Sequence, residues 1–172
     1  MSLPPSPGDP VSVTIQFWTR PDNLIPEAEA ASFFTAQPGG LERLAEQSGM
    51  ILVRHGDSEI ELPDTLAYLV NKLCIEAVAD VVEHGVADVS FFSSDTQVTM
   101  RRDGNAVELA GNTFYPVRLP ALPLLNALLD AAARFIGLVE QLWPQDAPGA
   151  LVCIRPREAA VRAQVAAWAE TV

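Results

Sequence analysis

The sequence predicts an α+β fold in which an antiparallel sheet meander carries two long helices on one face and a C-terminal strand and helix close the chain. Three observations predict it: alternating apolar and polar segments joined by tight turns, two long segments with apolar residues at helical spacing, and a Pro-rich final strand–helix segment. Period-two alternation is typical of half-buried strands, and spacings of three and four are typical of amphipathic helices. The short connections between the strands favour antiparallel neighbours.

The length and composition predict one domain. The chain has 172 residues, of which 49% are apolar, enough for a sizeable core. Residues 1–10 read as a disordered, Pro-rich lead-in, and residues 11–172 as a single α+β domain. The lead-in lacks the basic and apolar regions of a secretory signal, and no uninterrupted apolar run reaches about 18 residues. We therefore expect a cytoplasmic protein that neither enters nor binds a membrane.

The domain begins with a strand and two short helices. Residues 11–18 alternate cleanly, which predicts a strand. Pro21 and Pro26 are expected to bracket a loop, and residues 27–34 and 41–47 are expected to form short helical pieces.

A β-hairpin follows, with Gly56 and Asp57 as its two-residue turn. Glycine in the first position supplies the positive φ of a type II′ turn. With this turn, one face of the hairpin is apolar and the other is polar. The expected cross-strand pairs are His55/Ser58, Arg54/Glu59, Val53/Ile60, Leu52/Glu61 and Ile51/Leu62.

The first long helix lies between the start signal Pro63-Asp64-Thr65 and the end signal His84-Gly85. One stripe is apolar and predicts a buried face, made of Leu66, Leu69, Val70, Leu73, Ala77, Val78 and Val81. The opposite stripe is polar and comprises Lys72, Glu76, Asp80 and Glu83.

Three further strands are predicted at residues 86–92, 97–102 and 113–119, with a hairpin partner between the last two. Asp103-Gly104 is typical of a type I′ turn. The expected pairs are Met100/Val107 and Val98/Leu109 on one face, and Arg101/Ala106 and Thr99/Glu108 on the other. The last strand is interrupted by proline, which predicts an edge position.

The second long helix opens at Pro120 and Pro123 and ends at Trp143. Only a narrow stripe of it is polar, so we expect deeper burial than for the first helix. Residues 151–155 predict a short strand, and Pro156 opens a closing helix that runs through Trp168.

The charge balance narrows the classes of partner. Eleven basic residues against 22 acidic ones give a net charge of −11, which argues against nucleic acids and anionic membranes and favours a basic protein. Cys74 and Cys153 lie in apolar runs without metal-ligand spacing, so we expect each to behave as a small hydrophobe. The sequence contains no nucleotide-binding or nucleophile-elbow motif, so we expect no cofactor and no metal.

The segment ILVRHGDSE resembles the RHG signature of the histidine phosphatase superfamily. That resemblance implies His55 as the phosphorylated nucleophile and Arg54 as the phosphate ligand. The superfamily also needs a second histidine on a late strand, whereas the only other histidine here, His84, ends a predicted helix. The competing interpretation is a hairpin turn with a cross-strand pair between Arg54 and Glu59.

If both hairpins join one sheet, its polar face and its turns collect acidic side chains. The residues predicted to bind a partner are Asp57, Glu59, Glu61, Asp95, Asp103 and Glu108. A flat acidic surface suits fast, electrostatically steered association with a basic protein. The plainer interpretation is solvation, because a one-sided antiparallel sheet has a wet face in any case.

In layout, the chain resembles the small acidic α+β immunity proteins of bacterial polymorphic toxin systems. The resemblance covers roughly residues 50–143, through ILVRHGDSEIELPDTLAYLV, VSFFSSDTQVTMRRDGNAVEL and the helix after Pro120. It implies a cytoplasmic, non-enzymatic inhibitor that binds a cognate toxin domain and occludes its active site. It carries no catalytic motif and transfers no functional residue. A third alternative is an adaptor domain whose partner the sequence does not indicate.

Overall fold

The computed structural model describes residues 10–37 and 39–171 and confirms the α+β class. Apart from Pro10, the predicted lead-in lies outside the described residues. The strands form two antiparallel four-stranded sheets. Sheet A has the order β2-β1-β3-β4 and consists of β1 (Val11–Arg20), β2 (Asn23–Pro26), β3 (Ser48–His55) and β4 (Ser58–Thr65). Sheet B has the order β5-β6-β7-β8 and consists of β5 (Val86–Ser90), β6 (Gln97–Asp103), β7 (Ala106–Gly111) and β8 (Val117–Pro120).

The helices connect and cover the sheets. Two short helices, α1 (Glu27–Thr35) and α2 (Leu41–Ala45), lie between β2 and β3. The first long helix, here called the central helix, consists of α3 (Leu66–Leu69), a π-helical stretch (Val70–Glu76) and α4 (Ala77–His84). After sheet B come α5 (Ala121–Leu142), α6 (Ala147–Ala150) and α7 (Ile154–Ala169).

The two predicted hairpins belong to different sheets, so the expectation of one shared sheet is wrong. The central helix and α5 each contact both sheets, and side chains from all of them form one buried cluster. The core therefore lies between the apolar faces of the two sheets and the long helices. Strand alternation specifies which face of a strand is buried, but it does not specify which strands are neighbours.

The β3–β4 hairpin has the predicted register, including the pairs Arg54/Glu59 and Ile51/Leu62. Gly56 has a φ of 55°, and no non-glycine residue in the described chain has a positive φ. A positive φ in the first turn position alone agrees with type II′. The local signals therefore specified both the turn and every pair of this hairpin.

The β6–β7 hairpin is shifted from the predicted register by two residues. Met100 pairs with Leu109 instead of Val107, so the turn is Gly104-Asn105. Gly104 has a φ of 59°, whereas Asp103 has no positive φ and remains in the strand. A two-residue shift leaves each side chain on its predicted face, and the apolar face is therefore still correct.

Three predictions of secondary structure outside the two hairpins and the two long helices are wrong or too long. The expected loop between Pro21 and Pro26 contains β2, which pairs with β1. Residues 151–155 form a turn and the start of α7 instead of a strand. The predicted strand over residues 113–119 is shorter, although β8 does lie at the sheet edge.

The central helix buries its predicted apolar stripe and ends where expected. Leu66, Leu69 and Val81 are fully buried. Gly85 caps the helix in the left-handed region with a φ of 78°, a conformation that glycine adopts without strain. The π-helical stretch in the middle was not predicted, because the apolar spacing of a π-bulge differs little from that of an α-helix.

Helix α5 is the one helix in the described part of the chain that is long and apolar enough, by those two measures alone, to cross a membrane. Half of its most apolar window is buried inside this fold. Its buried side chains, among them Leu124, Leu128 and Ile136, belong to the core between the sheets.

The two cysteines differ in environment, since Cys74 is buried and Cys153 is exposed. Burial raises the pKa of the Cys74 thiol, which keeps it protonated and unreactive.

We expect a thiol reagent at about pH 8 to modify Cys153 at once and Cys74 only after unfolding. Counting labelled thiols in the wild type and in Cys153→Ser checks this, and a fast-reacting thiol in the native variant would contradict it.

Glu76 joins the central helix to α7 by accepting hydrogen bonds from Lys72 Nζ at 2.5 Å, Asn71 Nδ2 at 3.0 Å and Arg157 at 2.5 Å. Burial by itself raises the pKa of Glu76, but the hydrogen bonds from Lys72 and Asn71 and the charges of Lys72 and Arg157 outweigh it. The pKa therefore lies below its ordinary value of 4.5.

A carboxyl whose pKa is lowered on folding stabilises the fold above its unfolded pKa, and this contribution is lost as the pH falls through the folded value. We therefore expect Glu76→Gln to lower the free energy of unfolding by about 1 kcal/mol near neutral pH, since these groups are partly exposed. The difference from wild type should shrink below about pH 4. Urea unfolding across this pH range measures it. Glu29→Gln, on the exposed face of α1, is the control, and a deficit that persists unchanged at low pH would contradict the assignment.

Candidate protein-binding surface

The acidic side chains predicted to bind a partner are all exposed, but they lie in separate places. Asp57, Glu59 and Glu61 belong to the β3–β4 hairpin of sheet A. Asp95 precedes β6, and Asp103 ends it, so these two lie at opposite ends of one strand of sheet B. The single acidic face expected for one shared sheet therefore does not form.

The polar face of sheet B also carries both signs of charge. Glu108 pairs in register with Arg101 on β6 and Arg118 on β8. Asp103 accepts a hydrogen bond from Arg118 at 2.7 Å. On sheet A, Glu59 accepts one from Arg54 Nε at 2.6 Å. Ion pairing on exposed surfaces is expected to weaken the acidic character of these positions.

The Arg54 and His55 side chains of the RHG string lie on opposite faces of β3. Arg54 is exposed and bound to Glu59, whereas His55 is only 3% exposed and lies on the opposite face of β3. The Nδ1 atom of His55 has no hydrogen-bond partner. His84 lies at the end of α4, near Glu83, with a side chain that is 60% exposed. Adjacent residues of a strand point to opposite faces, which accounts for the exposed arginine beside a buried histidine.

No cluster of three or more histidine, cysteine or carboxylate side chains suited to a metal ion occurs in residues 10–37 and 39–171. Asp64 is the most buried carboxylate in that part of the chain, and its oxygens are occupied by protein hydrogen-bond donors. The environment of the Asp64 carboxylate is therefore that of a structural side chain and not that of a cation ligand.

The strongest candidate surface lies at one end of sheet B, where two aromatic side chains face solvent. Phe92 is 74% exposed and Tyr115 is 91% exposed, and no other aromatic side chain in the described chain is exposed to this degree. Phe92 lies in the β5–β6 loop and Tyr115 in the β7–β8 loop. We call these two side chains, together with the exposed Asp95, the aromatic loop surface.

Asp64 holds the first of these loops. Its carboxylate accepts hydrogen bonds from the backbone N–H groups of Phe92 at 2.6 Å and Ser93 at 3.0 Å, and from the Ser93 hydroxyl at 2.5 Å. It also accepts one from the N–H of Thr65 at 2.7 Å. Because Asp64 is the penultimate residue of β4, it connects the β5–β6 loop to sheet A and to the start of the central helix.

Asn112 joins the two loops to each other. Its side-chain oxygen accepts a hydrogen bond from the N–H of Gln97 at 3.0 Å, and its amide group donates one to the carbonyl of Asp95 at 2.8 Å. Phe114 packs against Gly111, where an added Cβ would lie 2.4 Å from the ring. The β7–β8 loop is therefore anchored on the N-terminal side of the exposed Tyr115.

The base of Phe92 is supported by the central helix. The rings of Tyr68 and Phe92 lie 5.6 Å apart, and the Tyr68 hydroxyl donates a hydrogen bond to the carbonyl of Ser90 at 2.9 Å. An aromatic side chain that is held in place loses little conformational entropy when a partner covers it. Exposed aromatic residues on braced loops are typical anchors of protein–protein interfaces.

The sequence patterns indicated Asp95 as a binding residue but neither of the aromatic residues. The signal for Phe92 was present, because Ala87, Val89 and Phe91 alternate inward and the next residue must point outward. For Tyr115 the signal is Pro116, which interrupts strand pairing and favours a loop.

Comparison of the whole chain with protein-family models, with curated proteins and with solved structures finds no match to any of them.

Proposed function

We propose that this protein is a non-enzymatic inhibitor of the immunity type, which binds a basic partner protein through the aromatic loop surface. The observation that carries the proposal is the placement of Phe92 and Tyr115, both exposed and both on loops tied to the fold by Asp64 and Asn112. A fold that presents aromatic anchors on braced loops is suited to covering part of another protein.

The charge of the molecule supports a basic partner. The net charge is −11, and Asp95 lies on the same loop as Phe92. Long-range attraction between oppositely charged proteins raises the association rate, while buried aromatic contacts slow dissociation. The association rate is then raised by the exposed carboxylates of Asp57, Glu61 and Asp95. Dissociation of the partner is slowed by the two aromatic side chains.

The resemblance in layout to immunity proteins supplies the class of partner, a toxin domain in the same cytoplasm. A phosphatase function has no comparable support, because Arg54 and His55 lie on opposite faces of β3.

The test is binding to a basic protein domain encoded by a neighbouring gene. The wild type should form a complex whose association slows as salt is raised. The Phe92→Ala/Tyr115→Ala variant should bind at least about 30-fold more weakly, as expected when hot-spot residues are truncated.

Val152→Ala is the matched control, since Val152 is 66% exposed and precedes α7, away from these loops. It should leave the affinity unchanged, and all variants should keep the unfolding free energy of the wild type. Absence of a complex, or an affinity that the aromatic substitutions do not lower, would overturn the proposal.

A further inference from the structure

A second feature of the surface is an apolar groove between α2, α5 and the α6–α7 segment. Its volume is about 610 Å³, within the range of sites for small molecules. The apolar part of its lining comprises Leu41, Leu44, Phe135, Val139, Leu151 and Ile154. We call it the α2–α5 groove. It lies apart from the aromatic loop surface, on other elements of the fold.

The floor of the groove belongs to the core and its sides are accessible. Leu44, Phe135 and Leu151 are buried, whereas Leu41 and Ile154 are half-buried. A ligand that fills the groove would therefore cover apolar surface that now meets solvent. Burial of such surface is favourable and roughly proportional to the area removed from water.

The charges around the groove have one sign. Glu42 and Asp146 line it, and no lysine, arginine or histidine does. Each of the other four clefts described on this surface has an arginine in its wall. In the described part of the chain, neither Glu42 nor Asp146 takes part in an ion pair. The groove thus combines an apolar floor with two carboxylates that lack a cation.

We propose that the α2–α5 groove binds a small apolar amine, whose hydrocarbon part lies on Leu41, Leu44 and Ile154 and whose ammonium group meets Glu42 and Asp146. A cation at the rim places opposite charges together beside a low-dielectric wall, where the attraction exceeds that in bulk water. An apolar acid of the same size would meet two like charges. The site is independent of the partner-binding function proposed above.

The probes are octylammonium, octanoate and octanol, which share a hydrocarbon chain and differ in charge. Titration is followed through the backbone amide shifts of residues 41–45 and 147–154. Octylammonium should bind saturably and at least about tenfold more tightly than the other two, because only its head group forms charge-assisted hydrogen bonds with the carboxylates. Binding of octanoate or octanol with equal affinity would overturn the assignment of an amine.

Substitutions that fill the α2–α5 groove test whether octylammonium binds there. Ala45 on α2 and Ala150 on α6 both line it and are exposed, so Ala45→Leu and Ala150→Leu should place a side chain in the cavity without disturbing the core. Each should weaken octylammonium binding about tenfold or more. Ala133→Leu, exposed on α5 and outside the lining, should not. Unchanged binding in both filled variants would overturn the proposal.

Removing the charges tests the recognition of the head group. In Glu42→Gln/Asp146→Asn, octylammonium should bind no more tightly than octanol. The matched control is Glu29→Gln, an exposed position on α1 outside the groove, which should behave as the wild type. A double variant that keeps the preference for the amine would overturn the role of these carboxylates.

Discussion

Replacing Gly49 by alanine is expected to lower the free energy of unfolding by about 3 kcal/mol, the upper end of the range for overpacking a core. Gly49 lies in β3, opposite Phe17 on β1 and Asp64 on β4. A Cβ at this position would lie 2.2 Å from the carbonyl oxygen of Gln16 and 2.6 Å from Cδ1 of Leu66. A leucine side chain can adjust, but the backbone oxygen of the paired strand cannot move without distorting sheet A.

Gly137→Ala is the control for this prediction, because the same substitution there has the opposite expected effect. Gly137 is exposed on α5, and an added Cβ meets no heavy atom within 4 Å. Alanine in a helix interior is favoured over glycine by about 0.5–1 kcal/mol, so this variant should be more stable than the wild type. Chemical denaturation of both variants measures the difference. A Gly49→Ala protein as stable as the wild type would show that the strands do not approach so closely.

The features that the sequence predicted well are local ones. The turn at Gly56-Asp57 and all five expected pairs of the first hairpin are present, because a two-residue turn and period-two alternation together determine a register. The apolar stripe of the central helix and its glycine cap were equally predictable, since both follow from spacing along a single element.

The features that were missed depend on distant parts of the chain. The two-residue shift of the β6–β7 hairpin placed the turn at Gly104-Asn105, since either of two neighbouring dipeptides could turn the chain and keep the same buried face. The separation into two sheets and the close approach at Gly49 involve neighbours that no local pattern names.

The candidate surface likewise combines features that the local sequence predicts with features that depend on distant parts of the chain. The exposure of Asp95 followed from its place in a turn, but the position of the loop that it shares with Phe92 depends on the bonds from Asp64 and Asn112. Those bonds join residues 28 and 17 positions apart in the chain. Sequence patterns therefore identified exposed residues, whereas tertiary contacts determine which of them form one surface.

Replacing Asp64 by asparagine is expected to lower the free energy of unfolding by about 3 kcal/mol and to loosen the β5–β6 loop. Asp64 is 2% exposed, and its two oxygens accept four hydrogen bonds. Hydrogen bonds to a charged group contribute about 1.5–3 kcal/mol each when one partner is removed. An amide has one acceptor oxygen, so its nitrogen would face the N–H of Phe92 or that of Ser93, which leaves that donor unsatisfied.

The substitution Asp64→Asn should also affect the proposed function, because Asp64 holds the loop that carries Phe92. Loss of the bond to the N–H of Phe92 or of Ser93 loosens the loop, so the aromatic ring must be ordered again when a partner binds, which lowers the affinity. Amide hydrogen exchange at Phe92 and Ser93 should become faster in Asp64→Asn, and urea unfolding should give the stability change. Asp80→Asn, on the exposed face of α4, should alter neither. If Asp64→Asn matched that control in both measurements, the bonds from Asp64 would not be what holds this loop in place.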